Sequence, residues 1–285
     1  MLLNTIKAPL SPNERKLLNI VRKHGVLPRH KIVDHMDVSV QAVGQIVRRL
    51  DHYGLLTHHK AVKVGLGQPP KPISMNSDGA FSIGIKIGRR HTDVLLVDLL
   101  GTVRERYAID YAYPIANDLL GEIQGYLGRI QAELSIHNRL LIGVGIATPF
   151  AMGGWHKLLG LSDEQADEWN ALDITAAIQA MTPCPVKLAK DTAAACTAEL
   201  LIGQGQFHKS FLYLFVDTFI GGSVVLQGRI LPTAHGNAGA VASLPTSVPT
   251  ALVEAQEQLR GLASLWELEQ NPLQVEAWLA SASRA

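Results

Sequence analysis

The 285-residue sequence predicts an α/β chain in two unequal parts: a small helical head with a strand hairpin, and a larger α/β body of two lobes. Three observations predict it. Charge divides sharply, with 12 Lys and Arg against 4 Asp and Glu over residues 1–75, and 14 against 21 over residues 76–285. From Phe81 the helical periodicity of the head gives way to apolar strands alternating with helical crossovers. Two segments of the body, "FSIGIKIGRRHTDVLLVDLLG" and "SFLYLFVDTFIGGSVVLQGRIL", each fold a glycine turn between strands. Such repetition predicts two related lobes with a cleft between them.

Composition narrows the setting. At 47% hydrophobic residues the chain can build real cores, yet no run of 18 apolar residues predicts a membrane span. "MLLNTIKAPLSPNERK" lacks the apolar core of a signal peptide. Cys184 and Cys196 form no CxxC pair, so a reducing cytoplasm is expected, with both cysteines packing as small apolar residues and no cysteine zinc site. A basic head on an acidic body fits a polyanion-binding module; the alternative is a merely solvated basic face.

The head reads as three helices. In "LSPNERKLLNIVRKHG", Ser11 is the N-cap, Pro12 suits the first helical position, Glu14 completes a capping box and Gly25 stops the helix. Leu17, Leu18 and Val21 form its apolar face. "LPRHKIVDHM" predicts a short second helix, and Ser39 caps a third over "SVQAVGQIVRRLDHYGLL". There Val40, Val43, Ile46, Val47 and Leu50 make an apolar stripe, while Gln41, Gln45, Arg48 and Arg49 fall opposite. Gln and Arg bidentately read adenine and guanine edges in the major groove, so this order of elements points to a helix-turn-helix. Gly44 costs about 1 kcal/mol relative to Ala inside a helix, which suggests a close approach there. "THHKAVKVGLGQPPKPISM" predicts two short strands around a basic tip, a wing whose Lys60, Lys63 and Lys71 meet phosphates. Within it "GLGQPPKP" reads as a stiff connector.

In the body, "NDLLGEIQGYLGRIQAEL" predicts an amphipathic helix and "RLLIGVGIATP" a buried strand. "DITAAIQAMTPCPVKLAKDTAAACTAELLIGQG" reads as helix, strand, loop and helix.

These segments, in this order, resemble the transcriptional regulators of the ROK family (repressor, open reading frame, kinase) from about Leu10 to Pro245. The carriers are the head, the connector "VGLGQPPKPISMNSDGAFSIGIKIG", "IGVGIATP" with Phe150 where the family has Gly, "LAKDTAAACTAE" and "HGNAGAVASLP". The resemblance implies a winged helix-turn-helix joined to a sugar-kinase-like body on the actin and hexokinase (ribonuclease H-like) fold. It also implies a minor-groove contact at the connector, where Gln68 in Gly67-Gln68-Pro69 replaces the family's Arg.

Measured against the family's enzymes, the catalytic motifs have changed. Their first hairpin is of the type Asp-x-Gly-Gly-Thr; here it is Lys86-Ile87-Gly88-Arg89-Arg90. Their second is of the type Gly-Thr-Gly-x-Gly; here Asp217-Thr218-Phe219-Ile220-Gly221 sets a carboxylate and a phenyl ring where amides should approach phosphates. Asp191 matches the family's catalytic base. Ala240-Val241-Ala242-Ser243 stands where zinc-bearing members have Glu-x-Gly-His, and no cysteine follows. Phosphoryl transfer needs a phosphate cradle, metal and a base, so the expectation is no enzyme, no metal and no cofactor, with a residual ATP-dependent sugar kinase as the alternative.

Three residues are candidates for a sugar effector: Asp191, Asn237 and Trp155. Each has a plainer reading, as a helix N-cap, a turn residue and a core residue respectively. Beside Asp191 the family's Asn is Lys190, and Glu199 reads as structural. The family's bodies usually continue beyond the length present here, so an incomplete second lobe is expected. The predicted divisions are a DNA-binding domain over 1–64, a connector over 65–79, a first lobe over 80–190 and a second over 191–285. The expected whole is a cytoplasmic, dimeric repressor. Its candidate DNA contacts are Ser39, Gln41, Gln45, Arg48, Arg49, Lys60, Lys63, Gln68 and Lys71.

Overall fold

The computed structural model describes residues 10–60, 71–137, 139–149, 152–154, 156–157, 161–232, 239–245 and 264–265. Helix α1 (Pro12–His24) opens with the reciprocal capping box of Ser11 and Glu14. It closes at Gly25, which takes φ +74° and donates its N–H to the Val21 carbonyl. After β1 (Leu27–Pro28) comes α2 (Arg29–Val33), shorter than the sequence reading. Ser39 caps α3 (Val40–His52) by accepting from the Ala42 N–H at 3.2 Å. Strands β2 (Leu56–His58) and β3 (Pro72–Met75) pair antiparallel, Leu56 opposite Met75, and β1 adds to the far side of β3. The sheet order is β1-β3-β2.

The core of this unit joins Leu17 and Val21 of α1, Ile32 of α2, Val43, Val47 and Leu50 of α3, and Ile73 and Met75 of β3. Val40 does not join it. It is 65% exposed, because the first residue of α3 projects beyond the turn that Val43 and Val47 seal. Gly44 has open space where a side chain would stand, so no neighbour within the chain requires it.

β3 lies within the stretch read as connector, yet it is the central strand of the head's sheet. Only five residues separate it from β4 (Phe81–Ile87), the central strand of the body. That splice is closely held. Asn76 donates from its backbone to Leu55 O and from its side chain to Gly54 O. A Cβ on Gly79 would meet Gly54 O at 2.6 Å.

The body's first sheet has the order β6-β5-β4-β7-β8. β5 (His91–Asp98) and β6 (Val103–Asp110) extend β4 antiparallel; β7 (Leu141–Thr148) and β8 (Val186–Lys190) extend it parallel. Alternation along β4 buries Phe81, Ile83, Ile85 and Ile87 on one face, where Ile123, Leu127 and Ile130 of α4 (Ala116–Ile136) pack. Two short helices, α5 (Asp163–Ala171) and α6 (Ile174–Gln179), complete that core through Trp169 and Ile178. β8 runs directly into α7 (Asp191–Ile202), with no intervening loop. A second sheet follows, of β9 (Phe211–Phe215), β10 (Gly221–Leu226) and β11 (Arg229–Ile230), all antiparallel. The start of α7 sits so close to β10 that a Cβ on Gly221 would stand 2.8 Å from the Thr192 Cγ2. Among the described residues no helix is long and apolar enough to cross a membrane, and no three potential ligands converge on a metal position.

Candidate nucleic-acid face and interlobe cleft

The outer face of α3 carries Gln41, Gln45, Arg48 and Arg49, all exposed, on a helix whose inner face is fully buried. Ser39 is committed to its cap. Arg49 differs from its neighbours: its Nε lies 3.0 Å from Oε1 of Glu14, a carboxylate only 1% exposed. This contact is ionic rather than a well-aligned hydrogen bond, since the same Oε1 has no hydrogen-bond partner. The Tyr53 hydroxyl and then Glu14 raise the Arg49 pKa. Arg49 therefore braces α3 against α1, while Gln41, Gln45 and Arg48 stand outward. The contact with Glu14 has no local sequence signal; the capping box finds Glu14 but not its second partner.

Lys60 and Lys71 are exposed where the β2 and β3 segments enter and leave the intervening residues. Lys63 and Gln68 lie outside the described residues, as do Asn237 and Trp155.

The second site is the junction of the two body sheets. Lys86, near the end of β4, and Asp217, just after β9, come from different sheets. Lys86 Nζ donates to Asp217 Oδ2 at 2.9 Å and contacts His91 Nε2 at 3.2 Å. The Asp217 Oδ1 accepts the Thr218 N–H at 2.7 Å. Burial alone would raise the Asp217 carboxyl, but the Lys86 hydrogen bond and charge outweigh it and hold the group below the ordinary carboxylate value. Three residues after Lys86 and two after Asp217, the Arg89 guanidinium lies 5.2 Å from the centre of the Phe219 ring. The positions where both hairpins depart from the enzymes' motifs thus meet each other. The Gly88 N–H closes its own hairpin on the His91 carbonyl at 2.9 Å.

Asp191 sits at the edge of this cluster. The N-cap of α7 is Lys190, not Asp191, whose Oδ1 accepts only the N–H of the adjacent Thr192 at 2.7 Å among the described contacts. Burial raises the Asp191 carboxyl, against partial relief from that N–H and from the Lys190 and Arg89 charges. Burial in turn lowers the Lys190 ammonium.

The family model described as "ROK family" matches residues 82–245. The chain belongs to the ROK family. Among curated relatives, this ROK chain is 25% identical over 269 residues to the transcriptional regulator Rv0485 of Mycobacterium tuberculosis, covering 93% of the chain and 57% of that protein. It is 21% identical over 230 residues to the xylose repressor of Bacillus subtilis, covering 80% and 58%. The ROK chain thus spans a little under three fifths of the length of these relatives. Among solved structures it resembles a ROK family transcriptional regulator described as a homologue of the E. coli MLC protein, with TM-score 0.67, 19% identity and coverage of 93% and 67%. It also resembles the inorganic polyphosphate/ATP-glucomannokinase of an Arthrobacter species, with TM-score 0.52, 22% identity and coverage of 72% and 76%. These likenesses establish the α/β, sugar-kinase-like ROK fold.

Proposed function

We propose that this ROK chain is a DNA-binding transcriptional regulator of the repressor type. Its head is read as a winged helix-turn-helix and its body as a non-catalytic effector domain. The observation that carries the reading is the two-faced α3, with Val43, Val47 and Leu50 buried behind Gln41, Gln45 and Arg48. In the major groove those three side chains would read base edges. Lys60 and Lys71, with Lys63 and Gln68, would hold the backbone or minor groove. The names of the relatives, a transcriptional regulator and a xylose repressor, support the same reading.

The Lys86–Asp217 pair supports a body without kinase activity. A nucleotide site offers a cation and free hairpin amides to phosphate. Here the Asp217 carboxylate already takes both the Lys86 ammonium and the Thr218 N–H, acting as a built-in anion. The residues do not fit Mg²⁺–ATP, since an ammonium stands where a metal-organising carboxylate is needed. Asp191, with Asn237 and Trp155, remains the proposed contact for a sugar or sugar derivative. A homodimer in the cytoplasm, reading paired half-sites, completes the proposal.

Fluorescence anisotropy on DNA from the gene's own upstream region, against scrambled DNA across a salt titration, tests it. A preference for the native DNA that persists as salt rises is expected. Equal, steeply salt-dependent binding to both overturns base reading by α3. Coupled ATP turnover with a panel of hexoses tests the kinase alternative, and none is expected.

A further inference from the structure

A cavity of about 410 Å³ lies where the head, the first sheet and α7 come together, away from the Lys86–Asp217 cleft. Its walls are apolar: Leu95 and Val97 of β5, Ile142 of β7, and Leu201 and Ile202 of α7. One cation, Arg22 of α1, closes the head side. Arg22 donates to Leu99 O at 3.2 Å and to Asn19 Oδ1 at 3.3 Å, but its Nε is buried with no hydrogen-bond partner. Among the described residues no carboxylate pairs with it. Asp98 lines the same cavity, yet its oxygens are taken by Arg104 Nε at 2.7 Å and by the N–H groups of Leu100 and Thr102. Burial lowers the Arg22 pKa without an anion to offset it.

A desolvated guanidinium against hydrocarbon is costly unless an anion pairs with it. Small-molecule sites are mostly apolar, hold a few polar groups and span roughly 300–1,000 Å³, a range that includes this cavity. We propose that the cavity binds a small amphipathic monocarboxylate, its carboxylate paired with Arg22 and its apolar body against Leu95, Val97, Ile142, Leu201 and Ile202. The ligand would touch α1 of the head together with strands of the first sheet and α7 of the body. The proposal concerns binding and stands independently of whether the head reads DNA.

Calorimetry on the full 285-residue chain tests it, with octanoate as the probe and octan-1-ol as its uncharged counterpart. One octanoate per chain is expected, bound about tenfold or more tighter than octanol. Arg22→Leu should weaken octanoate by a similar factor. Ala198→Phe keeps Arg22 but fills the cavity from an exposed position of α7, and should also weaken it. No saturable octanoate heat, equal binding of octanol, or undiminished binding in both variants would each overturn the proposal. The octanoate–octanol contrast needs only the unaltered chain, so the test survives a variant that fails to fold.

Discussion

Lys86 and Asp217, 131 residues apart in sequence, meet at 2.9 Å across the junction of the two body sheets. Each stands where the sequence departs from the motifs of the family's enzymes. Together they form a charge-assisted bond between the sheets, with the two side chains 27% and 28% exposed.

Removing either partner should therefore destabilise the body. Lys86→Ala and Asp217→Ala are each expected to cost about 1.5–3 kcal/mol in urea unfolding. The double variant should cost less than the two combined, with a coupling of about 1 kcal/mol. Strict additivity would show that the two groups do not act on each other.

Acid should undo the same contact. Because the folded Asp217 carboxyl is held down, its stabilisation is fully present above the unfolded aspartate value of about 3.9. It is lost as pH falls through the lower folded value. Melting curves at stepped pH should show an acid destabilisation that Asp217→Asn makes shallower.

Asp191 should behave in the opposite sense. Its carboxyl is raised by burial, so the folded state keeps a proton that the unfolded state has released. Stability from this group falls as pH rises through the unfolded value and stays reduced above the folded one. Asp191→Asn is thus expected to raise the melting temperature at neutral pH, with the gain vanishing in acid. If Asp191 contacts the effector, the same variant should lose sugar-dependent release of DNA.

The two arginines of α3 should separate. Arg48→Ala is expected to weaken binding to specific DNA by about 1–3 kcal/mol and to relax preference at one base position. Uniform weakening on all sequences would instead make Arg48 a phosphate contact. Arg49→Ala leaves the buried Glu14 carboxylate without its cation, so its main readout should be a lower melting temperature of the head.

Gly221 is required by a close approach. Gly221→Ala sets a methyl group 2.8 Å from the Thr192 Cγ2 and should destabilise by about 1–3 kcal/mol. Thr192→Ser removes that methyl and should recover much of the loss.

What was legible in the sequence was local. The capping box of Ser11 and Glu14, the Ser39 cap and the alternation along β4 and β5 each depend on residues a few positions apart, and all appear in the structure. Val40 belonged to the apolar stripe by periodicity, but a helix's first residue can lie beyond the surface its partners cover. The reading of β8 and α7 as separated by a loop failed because Lys190 takes the extended cap conformation directly at the strand's end. Lys86 and Asp217 were each visible as departures from motifs, but nothing local marks two residues 131 positions apart as partners. The Arg22 cavity is built by α1, strands β4, β5 and β7, and α7, so no single segment announces it.

The five-residue splice between β3 and β4 has a mechanical consequence. A reading head on a slack tether would search its target like a bead on a string. Here the central strand of one sheet passes almost at once into the central strand of the next, pinned by Asn76 to the β2 side and by Ser77 to Leu99 of the body. The arrangement is closer to a crankshaft: a twist applied to the body's middle strand is delivered as a twist of the head's sheet. Nuclear relaxation should accordingly report one tumbling time for Leu17 and Ile85, not two.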